Sequence, residues 1–500
     1  EQSGMKWFPY NKGGSYRRWF GNNEAIVNWA SNGQEIKAFD RAVIRNPDYF
    51  FKPSVTWTRV SSSYFGVRQS DHGFLFDATG PSVYPDKEDM DFITGLLCSN
   101  ACSTLLNYMS PNLDFQVGHI VNIPLPVDDA NLLTLPVNLL IEKARKDWNE
   151  YEYSWDFNSS QLLAVSIENN KTLAKSYAIW IAQNHENITE MKRLEEENNR
   201  LFIDVYGLQD ELSPEVPIEQ ITLTVNPAYR YGVKGTEEER NTRFREDTMA
   251  ELVSYAIGCM MGRYSLDEPG LIYANSGNEG FDDLVERGAY TKFPADDDGI
   301  IPLTDKEWFA DDASNRLVEF ITVAWDKSHL EENLDFLAAN LSPKKGEDSR
   351  DTIRRYLCDK FYKDHLQTYK KRPIYWLFSS GKQKAFQCLV YLHRYNESTL
   401  ARMRTEYVIP LTAKLSAHID NLESDKLASD SAAEIKKLEK EIKTLQKQQT
   451  ELTEFDDKLK HFADMRIPLD LDDGVKVNYG KFGDLLADVK AIHGKKPETL

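Results

Sequence analysis

Between about residues 400 and 462 the chain places its aliphatic residues at intervals of three and four, a rhythm that only a helix can bury on one side. Ile435, Leu438, Ile442, Leu445, Leu452 and Leu459 form one such run, with gaps at Gln449 and Asp456. A sustained seven-residue repeat makes a seam that another helix must cover. Leu411, Leu415, Ile419 and Leu422 supply a matching stripe just upstream. Pro410 stands near its start as a kink or start point, because proline lacks the N–H that a helix interior uses. With a turn inside residues 424–431, the segment 399–465 is expected to be an antiparallel helical hairpin packed as a coiled coil. The same spacing also fits an ordinary bundle hairpin.

The first 127 residues follow a shorter rhythm. Lys6-Trp7-Phe8-Pro9-Tyr10 leads into a glycine turn at Asn11-Lys12-Gly13-Gly14, and Val55, Trp57 and Arg59 alternate with Thr56 and Thr58. Gly73–Asp77 reads as another short strand, ended by Thr79-Gly80-Pro81-Ser82. A helix is expected from Asp89 to Tyr108, burying Phe92, Ile93, Leu96, Leu97, Leu105 and Leu106, with Ile123–Pro126 as an extended exit. Residues 128–212 read as a helical connector that includes a polar helix at Met191–Leu201, and 213–217 as a linker. Residues 213–398 read as a helical domain passing from acidic to basic, and 466–500 as a C-terminal segment. Five hundred residues exceed what one core can organise. The class expected is α+β, a mixed α/β domain followed by a mainly helical region.

A net charge of −19 argues against a generic nucleic-acid binder, since phosphate neutralisation by Lys and Arg supplies most nonspecific affinity. The charge is uneven, however. Residues 1–70 carry ten basic and five acidic side chains, and residues 343–394 carry thirteen and five. Residues 281–340 carry five and fifteen. Basic segments set against acidic ones fit a nucleic-acid face on a soluble protein. In the first segment Lys12, Arg17, Arg18, Lys52, Arg59 and Arg68 interleave with Trp7, Tyr16, Trp19 and Trp57. Arginine forks pair with guanine edges or phosphates, and rings stack or wedge at base steps. The alternative is that the rings are core and the cations a solvated rim.

Other chemistry is poorly represented. Asn46-Pro47-Asp48-Tyr49 has Asp where the Asn-Pro-Pro-Tyr loop of an adenine methyltransferase has its second proline, and charged residues precede it instead of an apolar strand. It reads as a turn. Gly66 and the Gly258–Gly262 pair lack the spacing of a cofactor loop, and no Walker-type loop is present. His72, His119, His365 and His393 have no Ser or Cys arranged for nucleophilic catalysis. Cys98 and Cys102 have no second pair for zinc and are expected in a core. Asp296-Asp297-Asp298-Gly299 and Asp470–Gly474 read as turns rather than metal sites. Sparse cysteines suggest a reducing cytoplasm, and no run is long and apolar enough to span a membrane. The start at Glu-Gln-Ser-Gly, without Met, reads as the inside of a longer protein.

Several long blocks carry a resemblance. Residues 6–22 (KWFPYNKGGSYRRWFGN), 51–68 (FKPSVTWTRVSSSYFGVR) and 73–85 (GFLFDATGPSVYP) are similar to the target-recognition region of PglX-type adenine-specific DNA methyltransferases of BREX phage-defence systems. Residues 96–126 resemble the closing helix and exit of such domains, and 257–275, 371–396 and 469–483 resemble C-terminal blocks of the same family. The resemblance implies a target-recognition domain at 1–127 that binds double-stranded DNA, within an enzyme that methylates adenine N6 from S-adenosylmethionine and marks host DNA. It implies no catalytic or cofactor residue in this chain, because the family keeps those in an N-terminal half. Lys371, Arg372 and Lys382, beside Trp376 and the Ser379-Ser380-Gly381 turn, become a second set of candidate DNA contacts. The competing reading is a scaffold whose acidic block and hairpin dock other defence proteins or a phage inhibitor.

Overall fold

The alternation at residues 54–59 resolves into a short strand buried on both sides. The computed structural model describes residues 4–61, 63–126, 136–165, 172–274 and 279–494. It divides into two compact units: residues 1–157 with 178–244, and residues 158–177 with 245–500. Parts of the expected connector, residues 128–135 and 166–171, lie outside the described residues, as does position 62 in one family block.

Unit one holds two small sheets. β1 (Trp7–Asn11) pairs antiparallel with β2 (Ile26–Asn28) and parallel with β5 (Leu75–Phe76). β3 (Ser54–Trp57) lies between β4 (Val67–Ser70) and β6 (Ser82–Val83), both antiparallel to it. All four residues of β3 are buried, so the Thr56 side chain faces packed surroundings instead of water, and its Oγ1 donates to Pro81 O at 3.1 Å. Trp57 is fully buried and donates Nε1–H to Phe115 O at 2.7 Å. Trp29, Phe50 and Leu75 make a second small core beneath the first sheet.

The single helix expected at 89–108 is two: α1 (Met90–Cys98) and α2 (Asn100–Met109). Ser99 breaks it, taking extended geometry and accepting the Cys102 N–H on its side chain as a cap. Leu96, Leu97 and Leu106 are fully buried, with Phe92, Ile93 and Leu105 at the margin. Cys98 and Cys102 are buried free thiols. α3 (Val137–Asn149) and the 178–205 part of α4 (Leu173–Val205) complete the helical layer. Residues 213–217 do not act as a loose linker. Val216 is buried, its N–H reaches Glu196 Oε1 at 3.2 Å, and Asn199 donates to Pro214 O at 3.0 Å.

The longer segment of unit two, from residue 245, begins within α5 (Glu237–Met260), which ends on a cap with Gly262 at φ 74°. Gly262 N–H returns to Cys259 O and Arg263 N–H to Gly258 O, the paired bonds of a Schellman motif. That is the role of the glycine pair seen in the sequence. α6 (Ala313–Ala324), α7 (Leu330–Ala339), α8 (Ser349–Tyr356) and α9 (Tyr362–Thr368) follow. The helical domain expected at 213–398 also carries an antiparallel sheet: β7 (Ile300–Pro302), β9 (Gln387–Tyr391), β8 (Tyr375–Ser379). β9 is wholly buried, which removes the polar–apolar alternation that marks a strand in sequence. Residues 469–494 pack onto this sheet. Trp376 meets Tyr479 and Phe482, and Ala487 N–H donates to Leu377 O.

α10 (Ile409–Ala428) and α11 (Ala432–Asp464) stand where the spacing placed helices. The stretch Met403–Val408 just before α10 is a wider, π-type turn, where Pro410 withholds an N–H from the Glu406 carbonyl. Cross-contacts run in opposite order along the pair, from Arg404–Asp456 to Ser416–Gln449 to His418–Glu441. The buried stripe of α11 is Ile442, Leu445, Gln448, Leu452, Phe455, Leu459 and Phe462. The seam therefore passes through Gln448 and Phe455, one residue earlier than the gaps at 449 and 456. Gln448 donates to Asp305 Oδ2 (3.1 Å) and Gln383 O (3.3 Å), which is how an amide is tolerated there.

Candidate nucleic-acid interface

The cations singled out in the sequence separate into a buried group and a surface group. Arg17 and Arg18 sit where the chain leaves the Gly13-Gly14 turn and runs beside β4, with Trp19 N–H bonded to Val67 O. Arg17 is 2% exposed. It donates Nη2–H to Asp147 Oδ2 at 2.7 Å, Nε–H to Phe20 O at 2.8 Å and Nη1–H to Thr224 Oγ1 at 2.9 Å. Asp147 also accepts the backbone N–H groups of Thr224 and Val225. Arg18 donates to Glu195 Oε2 at 2.6 Å, and Glu195 accepts Trp19 Nε1–H on its other oxygen at 2.8 Å. Burial pushes the Glu195 carboxyl up, with the Arg18 charge pulling the other way. Arg68 is buried against Arg17, and burial and that like charge bring its pKa down to about 10.

The expectation that Arg17, Arg18 and Arg68 touch DNA is thereby revised. Each guanidinium is enclosed within unit one, and Arg17 and Arg18 are each paired with one carboxylate and further neutral acceptors there. Trp19 and Trp57 are likewise core rings. Sequence reasoning missed the partners: Asp147 shares its helix with Glu142, and Glu195 opens a run of three glutamates in α4, so neither acid stands out from its neighbours.

Lys12, Lys52, Lys371, Arg372 and Lys382 are exposed, and Arg59 is half-buried. In unit one the glycine turn holds Lys12 beside residues 58–59. Thr79 Oγ1 donates to Lys12 O, Arg59 N–H to Thr79 O, and Thr58 Oγ1 to Gly14 O. Gly13 is needed there, since a Cβ would lie 2.8 Å from Thr79 O with φ at 75°. Arg59 is forked onto Asp114 at 2.9 and 3.3 Å, a half-exposed pair that a phosphate could compete with. Lys52 lies over the Tyr49 ring, 4.9 Å from its centroid. Trp7 is 39% exposed.

In unit two Lys371 and Arg372 form the turn closing α9, with Lys371 N–H on Leu366 O and φ at 61°. Lys382 rides a loop pinned to α11 by Glu451, which accepts from Ser380 Oγ, Gln383 N and Ala385 N at 2.7, 2.6 and 3.3 Å. Trp376, its sequence neighbour in the motif, is core and bonds Pro373 O.

Asn46 sits at φ 50° before the 3-10 turn Pro47–Tyr49, exposed and without a strand leading into it. Gly258 and Gly262 end a helix instead of opening one. These residues do not fit a methyl-donor or flipped-base pocket. Among the described residues no cluster of ligating side chains could hold a metal ion.

The fold and these residues define an α+β protein with cations held at the surface of each unit, and no described helix is long and apolar enough to cross a membrane. No family model matches the chain. It is 48% identical over 505 residues to the adenine-specific methyltransferase BrxX of Escherichia coli O9:H4 (strain HS), covering 99% of this chain and 41% of that protein. It is 38% identical over 488 residues to the adenine-specific methyltransferase PglX of Lacticaseibacillus casei (strain Zhang), covering 95% and 38%. The chain is thus homologous along nearly its whole length to PglX-type adenine-specific methyltransferases, and spans about two fifths of the length of these relatives.

Proposed function

We propose that this chain is the DNA target-recognition and C-terminal portion of an S-adenosylmethionine-dependent enzyme that methylates adenine N6 in DNA, marking host DNA in a BREX-type phage defence. The observation that carries the reading is homology over nearly the entire chain to two proteins named adenine-specific methyltransferases. Residues 1–127 supply target recognition, and Lys12, Lys52 and Arg59 are the cations placed to meet phosphate there. Lys371, Arg372 and Lys382 serve the same purpose in unit two. Helices α10 and α11 pair as a coiled coil and brace the Lys382 loop through Glu451. The cofactor chemistry belongs to residues outside this chain, and the protein works in the cytoplasm.

A salt series tests this. Binding to labelled duplex DNA should weaken steeply with salt. Lys12→Ala/Lys52→Ala or Lys371→Ala/Arg372→Ala should each reduce the salt slope by about one for every phosphate no longer neutralised. Absence of binding at low salt would remove the support for a DNA surface here. It would favour a docking scaffold for other defence proteins or a phage inhibitor, the role to which the acidic block at 281–340 is suited.

A further inference from the structure

A cluster of rings and cations in unit two has no part in that reading. Arg263 follows the glycine cap of α5. At Gly258 an added Cβ would meet the Tyr264 ring at 2.4 Å and the Tyr375 hydroxyl at 3.0 Å, so the helix end closes directly onto aromatic side chains. The Arg263 guanidinium lies 5.1 Å from the Tyr264 ring centroid, and the phenols of Tyr369, Tyr391 and Tyr375 also act on its charge. His365, from α9, packs 4.7 Å from Tyr369 and 4.9 Å from Tyr375, and His393 packs 5.1 Å from Tyr391.

Arg263 Nε, His365 Nδ1 and His393 Nδ1 are buried with no hydrogen-bond partner among the described residues. His365 is 2% exposed, and its Nε2 accepts the N–H groups of Ile374 and Tyr375 at 3.1 and 3.2 Å. The ring proton must then sit on Nδ1, making that atom a donor. Burial, reinforced by the Arg263 charge, holds His365 down to about 3 and His393 down to about 4, so both rings are neutral at pH 7. Arg263 Nε and the buried His365 imidazole N–H therefore have no acceptor among the described residues. Such donors are costly to enclose unless an anion or other acceptor joins them. Three exposed cations, Lys370, Lys371 and Arg372, follow Tyr369 in the chain.

We propose that Arg263 and His365 form the floor of a binding site for a phosphate-class oxyanion, walled by Tyr264, Tyr369 and Tyr375. The guanidinium fork supplies charge and the His365 Nδ1–H a directed donor. The phosphate is either a free ion or one carried by a nucleotide or strand, whose base would meet the part-exposed Tyr369 ring, since Tyr264 and Tyr375 are buried. This site is independent of the unit-one surface.

The test follows the histidine ring signals of the 500-residue chain by nitrogen-15 NMR at constant ionic strength. Signals are assigned with His365→Gln and His393→Gln, and the probes are inorganic phosphate, 2′-deoxyadenosine 5′-monophosphate and 2′-deoxyadenosine. The His365 Nδ1 signal should shift and saturate with either phosphate compound and stay put with the nucleoside. Tighter saturation by the nucleotide assigns the phosphate to a nucleic-acid source, and tighter saturation by phosphate assigns it to the free ion. Arg263→Gln should abolish the response, and Arg263→Lys should weaken it by at least about tenfold through loss of the fork. A wild-type chain that shows no saturable shift with either phosphate, or an equal shift with the nucleoside, overturns the proposal, and neither result depends on a variant folding. An undiminished response in folded Arg263→Gln overturns it as well.

Discussion

Replacing Arg17 by alanine should destabilise unit one far more than it alters any surface. The side chain joins residue 17 to Ala144, Asp147 and Thr224 and stacks its guanidinium 4.9 Å from the Trp148 ring centroid. Truncation leaves the Asp147 carboxylate buried, with only the N–H groups of Thr224 and Val225 to satisfy it. Stranding one member of a buried ion pair costs about 3–5 kcal/mol. In a body of this size each kcal/mol moves the melting midpoint by about 2–4 °C, so the expected fall is roughly 6–20 °C. Calorimetry on wild type and Arg17→Ala measures it. Arg17→Met combined with Asp147→Leu should recover most of the loss, because no charge is then left unpaired. A midpoint within about 2 °C of wild type, together with abolished DNA binding, would refute the tether and return Arg17 to the interface.

Other expectations concern unit two. His365, held at about 3 against an ordinary 6.5, binds fewer protons folded than unfolded, so its contribution to stability is complete above pH 6.5 and is lost as pH falls toward 3. Denaturant melts across that window should lose their acid-side slope in His365→Gln. Asp296 runs the other way: burial and the neighbouring Asp298 raise it to about 7, so its contribution is lost as pH rises through 7, and Asp296→Asn should stabilise the protein on the alkaline side. Gly262→Ala places a Cβ at φ 74° and 2.6 Å from the Phe281 ring; a loss of about 2–5 kcal/mol is expected in the same melts. Glu451→Ala removes the acceptor that pins the Lys382 loop, and amide exchange at Gln383 and Ala385 should quicken while β8 and β9 stay protected.

The sequence was most informative where structure depends on near neighbours. The spacing of Leu411–Leu422 and Ile442–Leu459 located helices α10 and α11, since a helix brings residues three and four apart onto one face whatever else the chain does. The glycine turn at Gly13-Gly14 and the breaks around Thr79–Ser82 were legible for the same reason. Phase was harder. Gln448 lies in the seam one residue before the gap expected at Gln449, because Asp305 and Gln383 come from elsewhere to satisfy it. Strands β8 and β9 were invisible because burial on both faces erases alternation. Arg17, Arg18 and Arg68 read as surface readers because a cation looks the same in sequence whether it faces water or an acid. The acids that meet Arg17 and Arg18 lie far away along the chain, with Asp147 130 residues from Arg17 and Glu195 177 from Arg18. Periodicity is a local property of the backbone and is written in the residues themselves. Neutralising a buried charge requires an acid from a distant segment, and only the folded chain decides which one arrives.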